Sequence, residues 1–295
     1  MHRLLLFFFA LFLALTARAA IDPEWTTALP PFQIADNLYY VGSQELAVYL
    51  VTSPAGNILI NANLKTSPPQ IRASVEQLGF KWGDTKILLN GQAHFDHLGG
   101  AAEILRETHA QNMVMEGDAD VVESGGRTDF LAASGSVPPY PPAHVDRVLH
   151  DGDTVELGGV VLTAHKTPGH TRGCTTWTFP VHLRGEPAEQ LRNAVIIGGV
   201  SFWSDFHFVD KPGHPASYPR IAEDFARTFR VLQSLPCDIF LGAHGSYFGL
   251  KEKLPRLAEE GPQVFLDAAG YKKFVAKAQE HFEAELKKER EAARP

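Results

Sequence analysis

Six consecutive residues, Gln92-Ala93-His94-Phe95-Asp96-His97, carry two imidazoles, a carboxylate and a carboxamide. Imidazole nitrogen and carboxylate oxygen are common zinc donors, and a catalytic zinc takes about three protein ligands plus a water. On an extended or turning backbone alternate side chains share a face, so Gln92, His94 and Asp96 can converge while His97 turns to a neighbouring point. One such stretch cannot complete two metal sites, so further ligands must come from elsewhere in the chain.

The elements around the stretch suit that task. Asp84 to Asn90 reads as a short buried strand, and Gly99-Gly100-Ala101 opens a helix running to about Thr108. The polar cluster therefore sits where a strand hands over to a helix, which is where α/β proteins place ligands. Two isolated histidines have similar settings. His170 lies in Thr167-Pro168-Gly169-His170-Thr171-Arg172-Gly173, a tight turn between strands, and His244 follows an apolar strand in Gly242-Ala243-His244-Gly245-Ser246. Small neighbours let a ligand approach closely, although a lone histidine serves equally well as a satisfied polar residue. His109, His144, His150, His165, His182, His207, His214 and His281 read as such ordinary residues.

The rest of the chain supplies short strands and a few helices. Ile34 to Gly42 and Ala47 to Thr52 are strand-like, and a Pro54-Ala55-Gly56-Asn57 turn leads to Ile58-Leu59-Ile60-Asn61, a hairpin pattern. Ser67 is the expected N-cap of a helix with proline in its first turn, ending at Gly79. Asn112 to Glu116 reads as a strand, Asp118 to Ser124 as a helix closed by Gly125-Gly126. Gly135 to Pro142 holds too many prolines for regular structure, and is either a connecting loop or a loop lining a cleft. Val148 to Thr163 holds two or three strands; Thr175 to Phe179, Ala194 to Gly198 and Asp238 to Gly242 are others. Tyr218 to Leu232 is an amphipathic helix with Ser217 as cap, and Pro262 to Arg294 an increasingly charged, solvated outer helix. Strands alternating with helices and no internal linker indicate one domain.

Composition excludes some partners. The chain has 295 residues, 44% hydrophobic and 21% charged, with a net charge of -7 and no basic stripe, which argues against nucleic acid. His2-Arg3, the apolar run Leu4 to Leu15 and Ala17-Arg18-Ala19 form the three regions of a cleaved export signal over 1–19. The run is shorter than the roughly 18 apolar residues of a membrane anchor. The expectation is a periplasmic protein whose single domain spans 20–295. Its two cysteines, Cys174 and Cys237, are expected to be unpaired and buried.

The motif stretch, Thr167 to Thr171 and Gly242 to His244 together resemble the metallo-β-lactamase superfamily, whose motif is H-x-H-x-D-H followed by two isolated histidines. Tyr140 to Arg147, Asp151-Gly152-Asp153 to Gly159, and Ser217-Tyr218-Pro219 to Cys237-Asp238 extend the resemblance to the B3 subclass of zinc β-lactamases over most of the chain. Gln92 at the first motif position is similar to the GOB-type minority of that subclass. Two departures stand out: Asn61 occupies a position where the family usually has aspartate, and Cys237 lacks the second cysteine that many B3 enzymes carry nearer the C-terminus.

The resemblance implies an α/β (α+β) fold, a four-layer αββα sandwich with metals at one edge between the sheets. It implies a first metal site of Gln92, His94 and His170 and a second of Asp96, His97 and His244, holding one or two Zn2+ per chain. The first site would be weaker, since a carboxamide is a poorer donor than imidazole. The implied activity is hydrolysis of the β-lactam amide by a metal-bound hydroxide that Asp96 orients, giving antibiotic resistance. Ser201 or Ser204 is a candidate partner for the substrate carboxylate, and either also reads as an ordinary loop serine. The alternatives are a lactonase or thioesterase on the same fold, or a non-catalytic periplasmic zinc-binding protein. A small-molecule substrate, no membrane partner and a monomer complete the expectation.

Overall fold

The computed structural model describes residues 21–187 and 189–294; the export signal expected over 1–19 lies outside them. In chain order the elements are β1 (Phe32–Ala35), β2 (Leu38–Tyr40), β3 (Tyr49–Ser53), β4 (Gly56–Ile60), α1 (Pro68–Gln77), β5 (Thr85–Leu89), α2 (Phe95–Leu98), α3 (Ala101–Thr108), β6 (Gln111–Met115) and α4 (Ala119–Ser124). The second half holds β7 (Arg147–Leu149), β8 (Thr154–Leu157), β9 (Val160–Lys166), β10 (Thr175–Val181), β11 (Arg192–Ile197), α5 (Ile221–Ser234), β12 (Ile239–Gly242), α6 (Leu250–Glu260) and α7 (Ala268–Ala292).

The strands make two sheets, β1 to β7 in sequence order and β12-β11-β10-β9-β8. In the first, β1 to β4 pair antiparallel and β4 to β7 parallel. In the second only β11 and β12 run parallel. Side chains alternate across a strand, and the first sheet uses both faces. Ile58, Ile60, Ile87, Leu89, Met113 and Met115 join Leu162, Ala164, Trp177 and Phe179 of the second sheet in the central core. Leu59, Leu88 and Val114, one residue out of phase, pack with Ile71 of α1, Ile104 of α3 and Val121 of α4. Phe225 and Phe229 of α5 and Phe282 of α7 lie in the central cluster with β11 and β12. Helix, sheet, sheet and helix are the four layers, as expected.

Several boundaries differ from the expected ones for local reasons. Asp36-Asn37 splits the first run into the β1–β2 hairpin. Ser67 precedes α1, but its side chain makes no capping bond. The amphipathic helix starts at Ile221 rather than Tyr218, because Arg220 adopts a left-handed φ of 69° that no helical turn tolerates. Ser217 instead uses its hydroxyl to accept the His207 N–H at 2.8 Å. The tail is not a merely solvated helix: Tyr271, Val275, Phe282, Leu286 and Glu289 of α7 are buried. Both cysteines are unpaired, Cys174 buried and Cys237 only half-buried. Among the described residues no helix is long and apolar enough to cross a membrane.

Candidate metal centre

The two sheets meet at one edge, and hydrogen bonds stitch them there. Trp177 of β10 donates its indole N–H to Asn90 O at 2.9 Å, Thr175 N–H reaches Gly91 O at 2.7 Å, and Tyr49 of β3 donates to Gly242 O at 2.7 Å. The approach is close enough to need glycine. A Cβ on Gly198 would lie 2.3 Å from both Gly91 O and Thr175 O. Asn61, in a left-handed conformation with φ 73°, donates to Ala47 O at 3.0 Å and accepts the Gly91 N–H at 2.9 Å. An ionised aspartate could not make the first of these bonds, so the carboxamide at this position braces two strand ends at once.

The loop from β5 to α2 carries the motif across this edge. His94 is extended, with φ -81° and ψ 159°, whereas Phe95 to Leu98 form one helical turn. Consecutive residues on a helical turn diverge by about 100° rather than the near-reversal of a strand. Asp96 is therefore grouped with His97 rather than with Gln92 and His94 as plain alternation would have it. His97 Nε2 lies 3.2 Å from Asp96 Oδ2 and 3.1 Å from His244 Nε2, and His244 Nε2 lies 3.7 Å from Asp96 Oδ2. Ligands about 2.0–2.1 Å from a tetrahedral zinc stand roughly 3.3 Å apart, which these separations bracket. Among the described residues these are the His, Cys, Asp or Glu side chains that form such a group.

His170 approaches from the β9–β10 turn. Its ring centroid is 4.7 Å from that of His94, and its Nδ1–H donates to Ser201 O at 2.7 Å, leaving Nε2 to carry the lone pair. The turn needs glycine at 169, where φ is 135° and a Cβ would strike the Phe225 ring at 2.6 Å. Gln92 lies two residues before His94, 1% exposed, and its Oε1 has no hydrogen-bond partner. Ser201 Oγ is 3.5 Å from His170 Nδ1, while Ser204 lines a cavity between this loop and α7.

Electrostatics prepare the donors. Burial opposes ionisation of Asp96, yet His97, His244 and His94 outweigh it and hold the carboxyl well below the usual range. Burial, reinforced by neighbouring imidazoles, lowers His97 although Asp96 opposes it. Burial beside His94 takes His170 down to about 3. A carboxyl held ionised beside imidazoles lowered from their ordinary range suits metal donation. Gln92 Oε1 is buried without a partner. His94 Nε2 faces only Asp129 Oδ2 at 3.6 Å, which against burial raises the His94 imidazole above its ordinary value. With Asp96, His97 and His244 beside them, these atoms fit a metal that would replace that proton.

Three carboxylates with no signal in the sequence stand beside the candidate ligands. Glu45 Oε1 lies 3.4 Å from His244 Nδ1 and accepts the Ser246 hydroxyl. Asp129 Oδ2 is 3.6 Å from His94 Nε2, both side chains almost fully buried. Asp118 accepts Thr171 Oγ1–H and Gly173 N–H, each at 2.7 Å, fixing the His170 turn; burial pushes it up to about 6. No spacing in the chain announces them, because each meets its partner only across the fold. The proline loop braces the site from beneath, Tyr140 donating to Ala93 O at 2.5 Å. Trp25, 6.1 Å from His244, and Trp203, 5.9 Å from His170, wall the edge.

Residues 47–182 match the family model of the metallo-beta-lactamase superfamily. The solved native FEZ-1 metallo-beta-lactamase from Legionella gormanii is 47% identical, with a TM-score of 0.84, over 90% of this chain and 98% of that one. The chain belongs to the metallo-beta-lactamase superfamily. A class B3 di-zinc metallo-beta-lactamase, LRA-12 from an Alaskan soil metagenome, is 36% identical with a TM-score of 0.81, over 90% of this chain and 98% of that one. Among curated proteins, a probable metallo-hydrolase of Burkholderia pseudomallei is 29% identical over 173 residues, 58% of this chain and 54% of that protein. The chain thus spans about half the length of the curated relatives it matches. The superfamily's two-sheet architecture accounts for the αββα layers.

Proposed function

We propose that this protein is a periplasmic, zinc-dependent β-lactamase of the B3 kind, hydrolysing the β-lactam amide and conferring antibiotic resistance. The likeness to β-lactamases over nearly their whole length carries this reading; the metallo-hydrolase likeness covers only about half of that relative. Export rests on the basic, apolar and small-residue pattern of the first 19 residues.

The first metal site would be Gln92, His94 and His170, the glutamine of GOB-type enzymes, and the second Asp96, His97 and His244. When bound there, zinc would supply Lewis acidity and would bring the pKa of a water from 15.7 to about 7. Asp96, ionised between imidazoles, holds the second site's negative charge and orients the attacking water. Glu45 fixes the His244 ring by facing its Nδ1, the carboxylate–histidine arrangement that orients metal ligands. Trp25 and Trp203 keep bulk water from the edge. Ser201, exposed beside His170, is the proposed partner of the substrate carboxylate. Purified, zinc-loaded protein should hydrolyse a chromogenic cephalosporin. Turnover of a lactone or thioester in its place would assign another hydrolase activity, and zinc uptake without any turnover would leave a binding protein.

A further inference from the structure

The loop from Gly198 to Lys211 forms one wall of the metal edge. Ser201 O receives the His170 Nδ1–H, Trp203 lies 6.2 Å from His94 and 5.9 Å from His170, and the Phe206 ring stacks 6.1 Å from His170. The loop lacks regular secondary structure, so something outside it must hold it. That element is the C-terminal half of α7. His281 stacks on Phe202 with centroids 4.6 Å apart and planes 9° apart, and Phe282 packs edge-on against Phe208 at 5.2 Å. Between these contacts and the helix end, Glu289 is only 6% exposed, on a stretch otherwise rich in exposed charge. Its Oε2 accepts the backbone N–H of Phe208 at 2.8 Å and of Val209 at 3.0 Å. A buried carboxylate taking two consecutive amides, with no cation paired to it among the described residues, is spent on one task. A cavity of about 470 Å³, lined by Trp203, Ser204, His207, Lys288 and Glu289, separates loop and helix beside this clamp.

We propose that Glu289 is a positioning residue for the active site: it clamps the 198–211 loop from α7 and so sets where Ser201 and Trp203 stand beside His170. The effect on substrate rests on the proposed hydrolase function; the clamp itself does not. Three proteins decide it, native, Glu289→Gln and Glu289→Ala, each zinc-loaded. In Glu289→Ala the Phe208 and Val209 amides should lose hydrogen-exchange protection by about tenfold or more. KM for a cephalosporin should rise about tenfold while kcat changes less than threefold, because under the proposed function the loop carries Ser201 toward the substrate carboxylate whereas Asp96 orients the water. Glu289→Gln keeps an acceptor oxygen in the same place and should restore most of both quantities, which a merely destabilised helix would not explain. Unchanged protection in Glu289→Ala, or lost protection with native KM, overturns the proposal. Should Glu289→Ala not fold, Glu289→Asp, whose shorter side chain withdraws the acceptor from both amides, takes its place: lost Phe208 and Val209 protection with a raised KM supports the clamp, and native protection or a native KM overturns it. If the native protein hydrolyses no β-lactam, the function fails while exchange still decides the clamp.

Discussion

Gln92 is where this chain departs from the H-x-H-x-D-H motif, and under the proposed assignment it would set the balance between two metal sites. A carboxamide oxygen is neutral, and protein zinc sites are built mostly from nitrogen and sulfur. At limiting zinc, a one-metal form filled at Asp96, His97 and His244 should dominate. Gln92→His should raise first-site affinity by about an order of magnitude and leave the second almost unchanged. Titration against a competing chelator, with metal counted, checks this; equal, tight binding of two zincs by the native protein would refute it. Asp96→Asn and His244→Ala should each reduce hydrolysis by orders of magnitude while the circular dichroism stays native. Near-native turnover by either at matched zinc content would place the second site elsewhere. The grouping of His97 with His244 and of His94 with His170 was foreshadowed in the sequence because imidazoles beside glycines at strand ends are conspicuous. Glu45, Asp118 and Asp129 were not, since carboxylates are common and only the fold brings them to His244, Thr171 and His94.

Strands were read more surely than helix ends. Apolar runs bounded by turn residues located β3 to β6 and β10 to β12 within a residue or two, whereas β9 runs three residues past the expected limit at Thr163. The start of α5 was misplaced because Tyr218 and Pro219 continue its amphipathic pattern, and only the left-handed turn at Arg220 excludes them. The helix α6 went unread with Pro255 in its interior. The tail was misjudged for a different reason. Its charges are visible at every turn, while the sparse stripe of Tyr271, Val275, Phe282 and Leu286 is easily lost among them. That stripe carries weight: Phe282, 2% exposed, touches the rings of Phe208, Phe225 and Phe229. Phe282→Ala should destabilise the protein by about 3–5 kcal/mol, read as a lower denaturant midpoint with unchanged slope. A loss below about 1 kcal/mol would mean that the helix end is only lightly docked.

The whole molecule is two sheets joined at one edge, with the proposed ligands divided between them. Asp96 and His97 follow a strand of the first sheet, while His170 and His244 come from the second. A metal held by both favours the native state alone, so the melting temperature should climb with free zinc. The gain is about 2.7 kcal/mol at a hundredfold excess over the dissociation constant. A melting temperature indifferent to zinc and to chelator would show that the donors do not share an ion. The order of events in folding follows from the same division. His97 and His244 stand 147 positions apart in the chain, so no local segment can gather them early, and closing so long a loop comes late. Zinc should therefore leave the refolding half-time untouched and lengthen the unfolding half-time, behaving as a latch thrown after the door has shut.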